Sequence, residues 1–318
     1  MDLAVYKYLA ISGGGLSGKL FLGSIRAIGD HLSSVGGDTY KTEWFEGLKG
    51  IVGCSAGAMV ALAVLLNLSY EDSRDLCHMG GKRQFFMRRP DLEALTQCHG
   101  LDDASGLYDL VGNMLRRGGL AEDITFRDLR RYVPRDFVVV ASNVETCEKL
   151  YISHETYPDM RVSVGIVASC SIPFVYAPVR VGPGMTLCDG GLCENQPVVF
   201  PVSETLNLAM CCPRSSGHTI PYNDIGDIIP FVTSIFGTIT NHQARSFDPA
   251  HTLYCISPGT EHSIDAFSFT DEDESVVEDN LKRVRLFVSD QIQLNKRSRT
   301  LGDVVLVRVS QKVSCSGR

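Results

Sequence analysis

The stretch Leu48–Leu68, LKGIVGCSAGAMVALAVLLNL, divides into three parts. Leu48–Val52 is a short apolar run of strand length. Gly53–Gly57 is a turn. Ala58–Leu68 is a helix that is apolar on every side, which predicts burial. The turn, Gly53-Cys54-Ser55-Ala56-Gly57, is a G-x-S-x-G sequence. Between a strand and a helix this sequence forms a nucleophile elbow, a sharp strained turn that holds the serine hydroxyl exposed. Gly53 and Gly57 are the elbow glycines, since side chains at either position would collide with the turn. The competing reading is a tight strand–helix turn with an inert serine. The motif alone does not separate the two, so the rest of the chain decides.

Toward the N-terminus lies LAISGGGLSGKL, Leu9–Leu20. Tyr6–Ile11 reads as a buried strand, and a helix is expected from Gly18 to Leu32, ended by the VGGD sequence. The glycines admit three readings. Gly13, Gly15 and Gly18 fit the G-x-G-x-x-G dinucleotide fingerprint, for which Asp38 is the acid about twenty residues on. Gly13, Gly18 and Lys19 fit a phosphate loop, but Leu20 stands where Ser or Thr would hold magnesium. The third reading is a set of backbone N–H groups that receives the oxyanion of an ester under attack. All three use the same physics, a tight glycine turn whose N–H groups favour negative charge.

Toward the C-terminus, Asp136–Glu145 and Lys149–Ser153 read as a hairpin, followed by a short helix and an extended, proline-marked segment. MTLCDGG then reads as a strand ending at Asp189, with Gly190 and Gly191 after it. An acid at the carboxyl end of a sheet strand lies at the edge where ligands bind. Two further strands, Leu206–Cys212 and His251–Ser257, flank a helix over residues 225–244. Strands alternating with helices predict an α/β fold, a three-layer α/β/α arrangement around a mostly parallel sheet. A catalytic domain over residues 1–260 is expected, with a cap-like insertion over 69–135. Residues 261–318 are expected to add an amphipathic helix and a terminal strand packed on the same domain. None of the histidines after the elbow (His78, His99, His154, His218, His242, His251, His262) stands in a glycine-rich loop after a clear strand, where a hydrolase base belongs.

The chain has 318 residues and a formal net charge of -7, which argues against a broad nucleic-acid surface. No basic n-region precedes a long apolar run. The longest apolar stretch, Ala58–Leu66, is well short of the ~18 residues that a membrane span needs. The eleven cysteines show no CxxC or Cys/His zinc spacing, so no metal is expected, and reduced thiols are the simplest reading. A cytoplasmic protein with peripheral membrane contact is expected. Lys82–Pro90, KRQFFMRRP, mixes bases with aromatics; a solvated helix end with two aromatics packed inward is the preferred reading.

Taken together, GGGLSG, GCSAG and DGG, in that order, resemble the patatin-like phospholipases, lipid acyl hydrolases that use a Ser–Asp dyad and no histidine. ASCSIPFVYAPV (Ala168–Val179) and DGGLCENQPV (Asp189–Val198) resemble further blocks of that family, so the similarity runs from the first strand to about Pro201. Two positions depart from the family pattern: Ser17 replaces a basic residue, and Phe174 stands where glycine is frequent.

The resemblance implies a carboxylic ester hydrolase of phospholipase A type, with Ser55 as nucleophile and Asp189 as general base. It implies an oxyanion hole from the N–H groups of Gly13, Gly14 and Gly15, support from Gly18, Gly190 and Gly191, and an acyl-enzyme intermediate. The substrate is a phospholipid or another lipid ester, with no cofactor. A carboxylate is a weak base at its ordinary pKa of ~3.9, and a desolvated pocket would raise it. Such a base suits an ester better than an amide, because an alcohol leaves without the full protonation an amine requires. A nucleotide-binding protein and an inactive lipid-binding module on the same fold are the alternative readings.

Overall fold

The structure, a computed structural model, describes residues 3–15, 18, 20–81, 92–211, 228–243 and 251–256. In chain order the first elements are β1 (Tyr8–Ile11), α1 (Leu20–Gly47), β2 (Gly50–Cys54), α2 (Ala56–Leu65), α3 (Tyr70–Gly81), α4 (Leu92–Cys98) and β3 (Gly100–Asp102). Then come α5 (Ser105–Arg117), α6 (Phe126–Tyr132), β4 (Asp136–Asn143), β5 (Glu148–Ile152), α7 (Val162–Cys170) and β6 (Phe174–Tyr176). The last are β7 (Val179–Gly182), β8 (Met185–Asp189), β9 (Thr205–Cys211), α8 (Ile228–Gln243) and β10 (Thr252–Ile256). The predicted C-terminal helix and strand, the Lys82–Pro90 segment, Ser17 and Lys19 lie outside the described residues.

The fold is α/β of the three-layer α/β/α class, with a mostly parallel sheet. β10, β9, β1, β2 and β4 run parallel in that order, and β5, β8 and β7 add antiparallel pairings. β2 is buried at every position, and β4 at every position after its first, as a sheet covered on both faces demands. Successive residues divide between two apolar clusters with the period of a strand. Leu9, Ile11, Ile51, Phe137, Val139 and Ala141 join the main core with the helices. Ala10, Val52, Cys54, Val138 and Val140 form a second cluster against Tyr151, Val199 and Phe200.

Helix α2 explains itself by composition. It carries no charge and eight of its ten residues are buried, so it is a core helix. The first helix departs from expectation. VGGD breaks it at Gly37 (φ 78°, ψ -179°), and the chain then resumes helical turns to Gly47. Trp44 and Phe45 are the buried end of this second piece. Asp38 therefore lies within a helical segment and not at the end of a second strand, as a dinucleotide site would need.

Arg135, immediately before β4, ties these layers together. Its guanidinium donates to the Phe45 carbonyl at 2.7 Å and to the Leu65 carbonyl at 2.6 Å, near the C-terminal ends of α1 and α2. Helix ends leave such carbonyls without intrahelical partners. Arg135→Met should therefore lower the unfolding free energy in a urea titration by about 2–4 kcal/mol, the value of two charge-assisted bonds whose acceptors are left buried.

Candidate active site

The geometry of the site begins with the edges of β4. Val139 and Val140 pair with β2 on one side and β5 on the other. Ala141, Ser142 and Asn143 pair with β8 and, again, β5. β2 and β8 therefore share one edge of β4 and approach from opposite directions. Cys54 is opposite Val140 and Asp189 is opposite Ala141, so the two strands end head to head at adjacent positions. The residue after Cys54 is Ser55, and its Oγ donates to Asp189 Oδ2 at 2.6 Å, across 134 residues of sequence.

Ser55 sits in a strained backbone conformation (φ 52°, ψ -131°). Such outliers cost on the order of 1–3 kcal/mol and persist only where the surroundings hold them. The surroundings here are close. A Cβ at Gly53 would overlap the Gly57 carbonyl oxygen and Ala58, and one at Gly57 would overlap the carbonyl oxygens of Ser12 and Ile11. Ser55 also occupies the N-cap position of α2, yet its side chain makes no capping bond. The hydroxyl that would ordinarily satisfy a helix N–H is aimed at the carboxylate instead. Ser169 supports the elbow. Its Oγ accepts the Ser55 N–H at 2.8 Å and donates to the Val140 carbonyl at 2.5 Å.

Asp189 is wholly buried. Oδ2 accepts from Ser55, and Oδ1 accepts the Gly191 N–H at 2.8 Å. Burial raises its pKa to about 7, although the Ser55 and Gly191 hydrogen bonds pull the other way. Cys54 and Cys170 lie beside it, and burial, followed by the charge of Asp189, pushes both thiols up. They remain protonated and are not competing nucleophiles. Among the described residues, no histidine bonds to either Ser55 or Asp189. His251 stands at the opposite, amino end of the strands, where its Nδ1 meets the Tyr6 hydroxyl at 3.1 Å.

The glycine loop after β1 faces the elbow. The Gly13 N–H donates to the Asn195 carbonyl at 2.9 Å, so it is not free to receive an oxyanion as expected. The N–H groups of Gly14 and Gly15 have no partner among the described residues. Gly18 is pressed against Ala56, and a Cβ there would overlap it. Gly190 and Gly191 open the turn after Asp189. Gln243, the last residue of α8, is a positioning residue that sequence reasoning missed. Its Oε1 accepts the Asn195 N–H at 2.7 Å, and its Nε2 donates to the carbonyls of Gly191 and Leu192 at 3.2 and 3.1 Å. No sequence signal pairs a glutamine with a turn about fifty residues earlier.

Ser55 opens onto a cavity of about 130 Å³ that Gly15 and Gly18 also line. Leu22, Met59, Val60, Leu76, Leu107, Leu110, Met114 and Ile172 make its wall almost wholly apolar. The arrangement suits attack on a carbonyl that carries an apolar chain. Next to the cavity, Phe174 holds a left-handed backbone (φ 66°), which costs an ordinary residue about 1–2 kcal/mol. Among the described residues, no group of His, Cys, Asp and Glu is arranged to hold a metal ion, and no helix is long and apolar enough to cross a membrane.

Comparison with known proteins bears on the same region. A "Probable lipid hydrolase 463L" of Invertebrate iridescent virus 6 is 20% identical over 194 residues, covering 61% of this chain. The chain spans 62% of that viral relative's length. Among solved structures, VipD from Legionella pneumophila matches with a TM-score of 0.47 and 15% identity, over 86% of this chain and 67% of VipD. The full-length SpcU–ExoU complex from the type III secretion system of Pseudomonas aeruginosa matches with a TM-score of 0.47 and 14% identity, over 91% of this chain and 53% of the other. The model of the family described as Patatin-like phospholipase matches residues 9–202, from the first strand through the segment after Asp189, and the chain belongs to that family.

Proposed function

We propose that the chain is a serine lipid acyl hydrolase of phospholipase A type, working through Ser55 and Asp189. The observation that carries this reading is the 2.6 Å bond from the Ser55 hydroxyl to a buried carboxylate whose pKa is raised to about 7. A base near neutrality can take a proton in the transition state and return it, which an ordinary aspartate cannot do well.

In this mechanism Ser55 Oγ attacks the ester carbonyl carbon as Asp189 Oδ2 takes its proton. The oxyanion is received by the N–H groups of Gly14 and Gly15, aided by the N-terminus of α2. The intermediate collapses, Asp189 returns its proton to the departing alcohol oxygen, and the acyl group remains on Ser55. Water then attacks this ester, Asp189 again acting as base, and the fatty acid leaves. The 69–135 segment acts as a cap over the acyl chain: its helices α3 and α5 contribute Leu76, Leu107, Leu110 and Met114 to the apolar wall. The substrate is then a phospholipid or other lipid ester, held by its chain more than by its polar end.

Fluorophosphonate labelling of the wild-type chain should modify Ser55. Ser55→Ala should abolish labelling, and both it and Asp189→Asn should lower hydrolysis of a phospholipid panel by about 10³-fold or more. Retained activity in either variant overturns the dyad. In wild type, kcat/KM should fall about tenfold per pH unit below about 7 and level off above it, as the carboxyl loses its proton.

The same carboxyl links stability to pH. Its pKa is higher folded than unfolded, so the folded state binds the proton more tightly. Its stabilising contribution is fully present below about pH 4 and is lost as pH rises through about 7. The loss is on the order of 4 kcal/mol once Asp189 is ionised. Asp189→Asn should therefore melt above wild type at about pH 8, with the gap closing toward pH 4 in a thermal-melt series.

A further inference from the structure

Phe174 combines two costs that a packed aromatic residue would not carry. Its backbone is left-handed (φ 66°), and 56% of the residue is exposed to water. Strain at a bulky residue persists only where the surroundings hold it, and such residues cluster at functional sites; burial of this ring is not what compensates for it. Its surroundings indicate the function. Ile172 and Tyr176, two residues to either side, line the cavity that contains Ser55, so Phe174 stands on its rim.

The pairing strand leads from Phe174 to a cation. Phe174 is opposite Gly100 in the β3–β6 pair, and His99 directly precedes Gly100. Nη2 of Arg180, an exposed residue, meets His99 Nδ1 at 3.1 Å, and no carboxylate pairs with Arg180 among the described residues. α8 extends the rim. It neighbours β6, and its Phe236 ring lies at Gly191, beside Asp189. Phe231 and Ile235, one turn apart on the same helix, are about half exposed. Exposed aromatic and aliphatic side chains near an exposed guanidinium are what an anionic lipid surface recognises.

We infer that Phe174, Arg180 and the Phe231/Ile235 face of α8 dock the protein on an anionic phospholipid bilayer, with the cavity mouth toward the lipid. Phe174 enters the acyl boundary and Arg180 meets lipid phosphate. This inference rests on the lipid acyl hydrolase reading, because a rim that grips lipid is useful where the buried site acts on lipid.

The test measures binding apart from chemistry. The full chain carrying Ser55→Ala is sedimented with vesicles of phosphatidylcholine and phosphatidylserine in equal parts, and with vesicles of phosphatidylcholine alone. Adding Phe174→Gly should weaken binding to the mixed vesicles by about tenfold or more, as expected for loss of one buried aromatic ring. Its melting temperature should not fall, since glycine takes the left-handed backbone without strain. Arg180→Gln should weaken binding to the mixed vesicles about fivefold, leave binding to phosphatidylcholine unchanged, and lose its effect in high salt.

Unchanged vesicle binding in Phe174→Gly, a lowered melting temperature, or no vesicle binding by the parent would overturn the docking surface. So would a dimer that Phe174→Gly dissociates, since a second copy would then occupy the rim. Hydrolysis of a soluble short-chain ester by the wild-type chain reports separately on the hydrolase reading. Failure of that arm with vesicle binding intact rejects the chemistry; failure of binding with that arm intact rejects the docking.

Discussion

β2 and β8 meet on one edge of β4, and the site depends on where they stop. Each strand is held in register by β4, one parallel and one antiparallel, and their carboxyl ends occupy adjacent positions along it. A parallel β8 would present its amino end at this point and carry Asp189 away from Ser55. The reversal of one strand in a mostly parallel sheet is thus the constraint that unites two residues distant in sequence. The elbow then turns the serine side chain out of the sheet toward the carboxylate.

The supporting bonds repeat this logic on a smaller scale. Ser169 connects the elbow N–H to the Val140 carbonyl, at the point on β4 where the two strand ends meet. The Gly191 N–H occupies the second oxygen of Asp189, so the carboxylate presents Oδ2 to the serine. Burial raises the affinity of that carboxylate for a proton, whereas both hydrogen bonds lower it. The resulting value near neutrality balances desolvation against two donors, and it costs the folded protein stability at alkaline pH.

Much of this was legible in the sequence, for local reasons. The elbow is encoded by an apolar strand, two glycines and an apolar helix that are contiguous, and the β4–β5 hairpin by two apolar runs separated by a short polar turn. The strand ending at Asp189 is likewise marked by the glycines after it. Long-range features were not legible. Nothing in MTLCDGG states that its strand runs against β4. Nothing in GGG indicates that the Gly13 N–H is taken by the Asn195 carbonyl, while the Gly14 and Gly15 N–H groups have no partner among the described residues. The VGGD sequence reads as a helix end, yet one left-handed glycine bends the chain and the apolar Trp44 and Phe45 draw a second helical piece into the core. Arg135 and Gln243 act through backbone carbonyls, which every residue possesses, so their partners leave no trace in composition or spacing.

The amide of Gln243 has a mechanical consequence. It grips the turn after Asp189 at two carbonyls and the Asn195 N–H at a third point, while the Asn195 carbonyl in turn grips Gly13. The turn after Asp189 and the glycine loop at Gly13 are therefore tied to one anchor at the end of α8. Loss of that one side chain would loosen the turn and the loop at the same time, although neither is its neighbour in sequence.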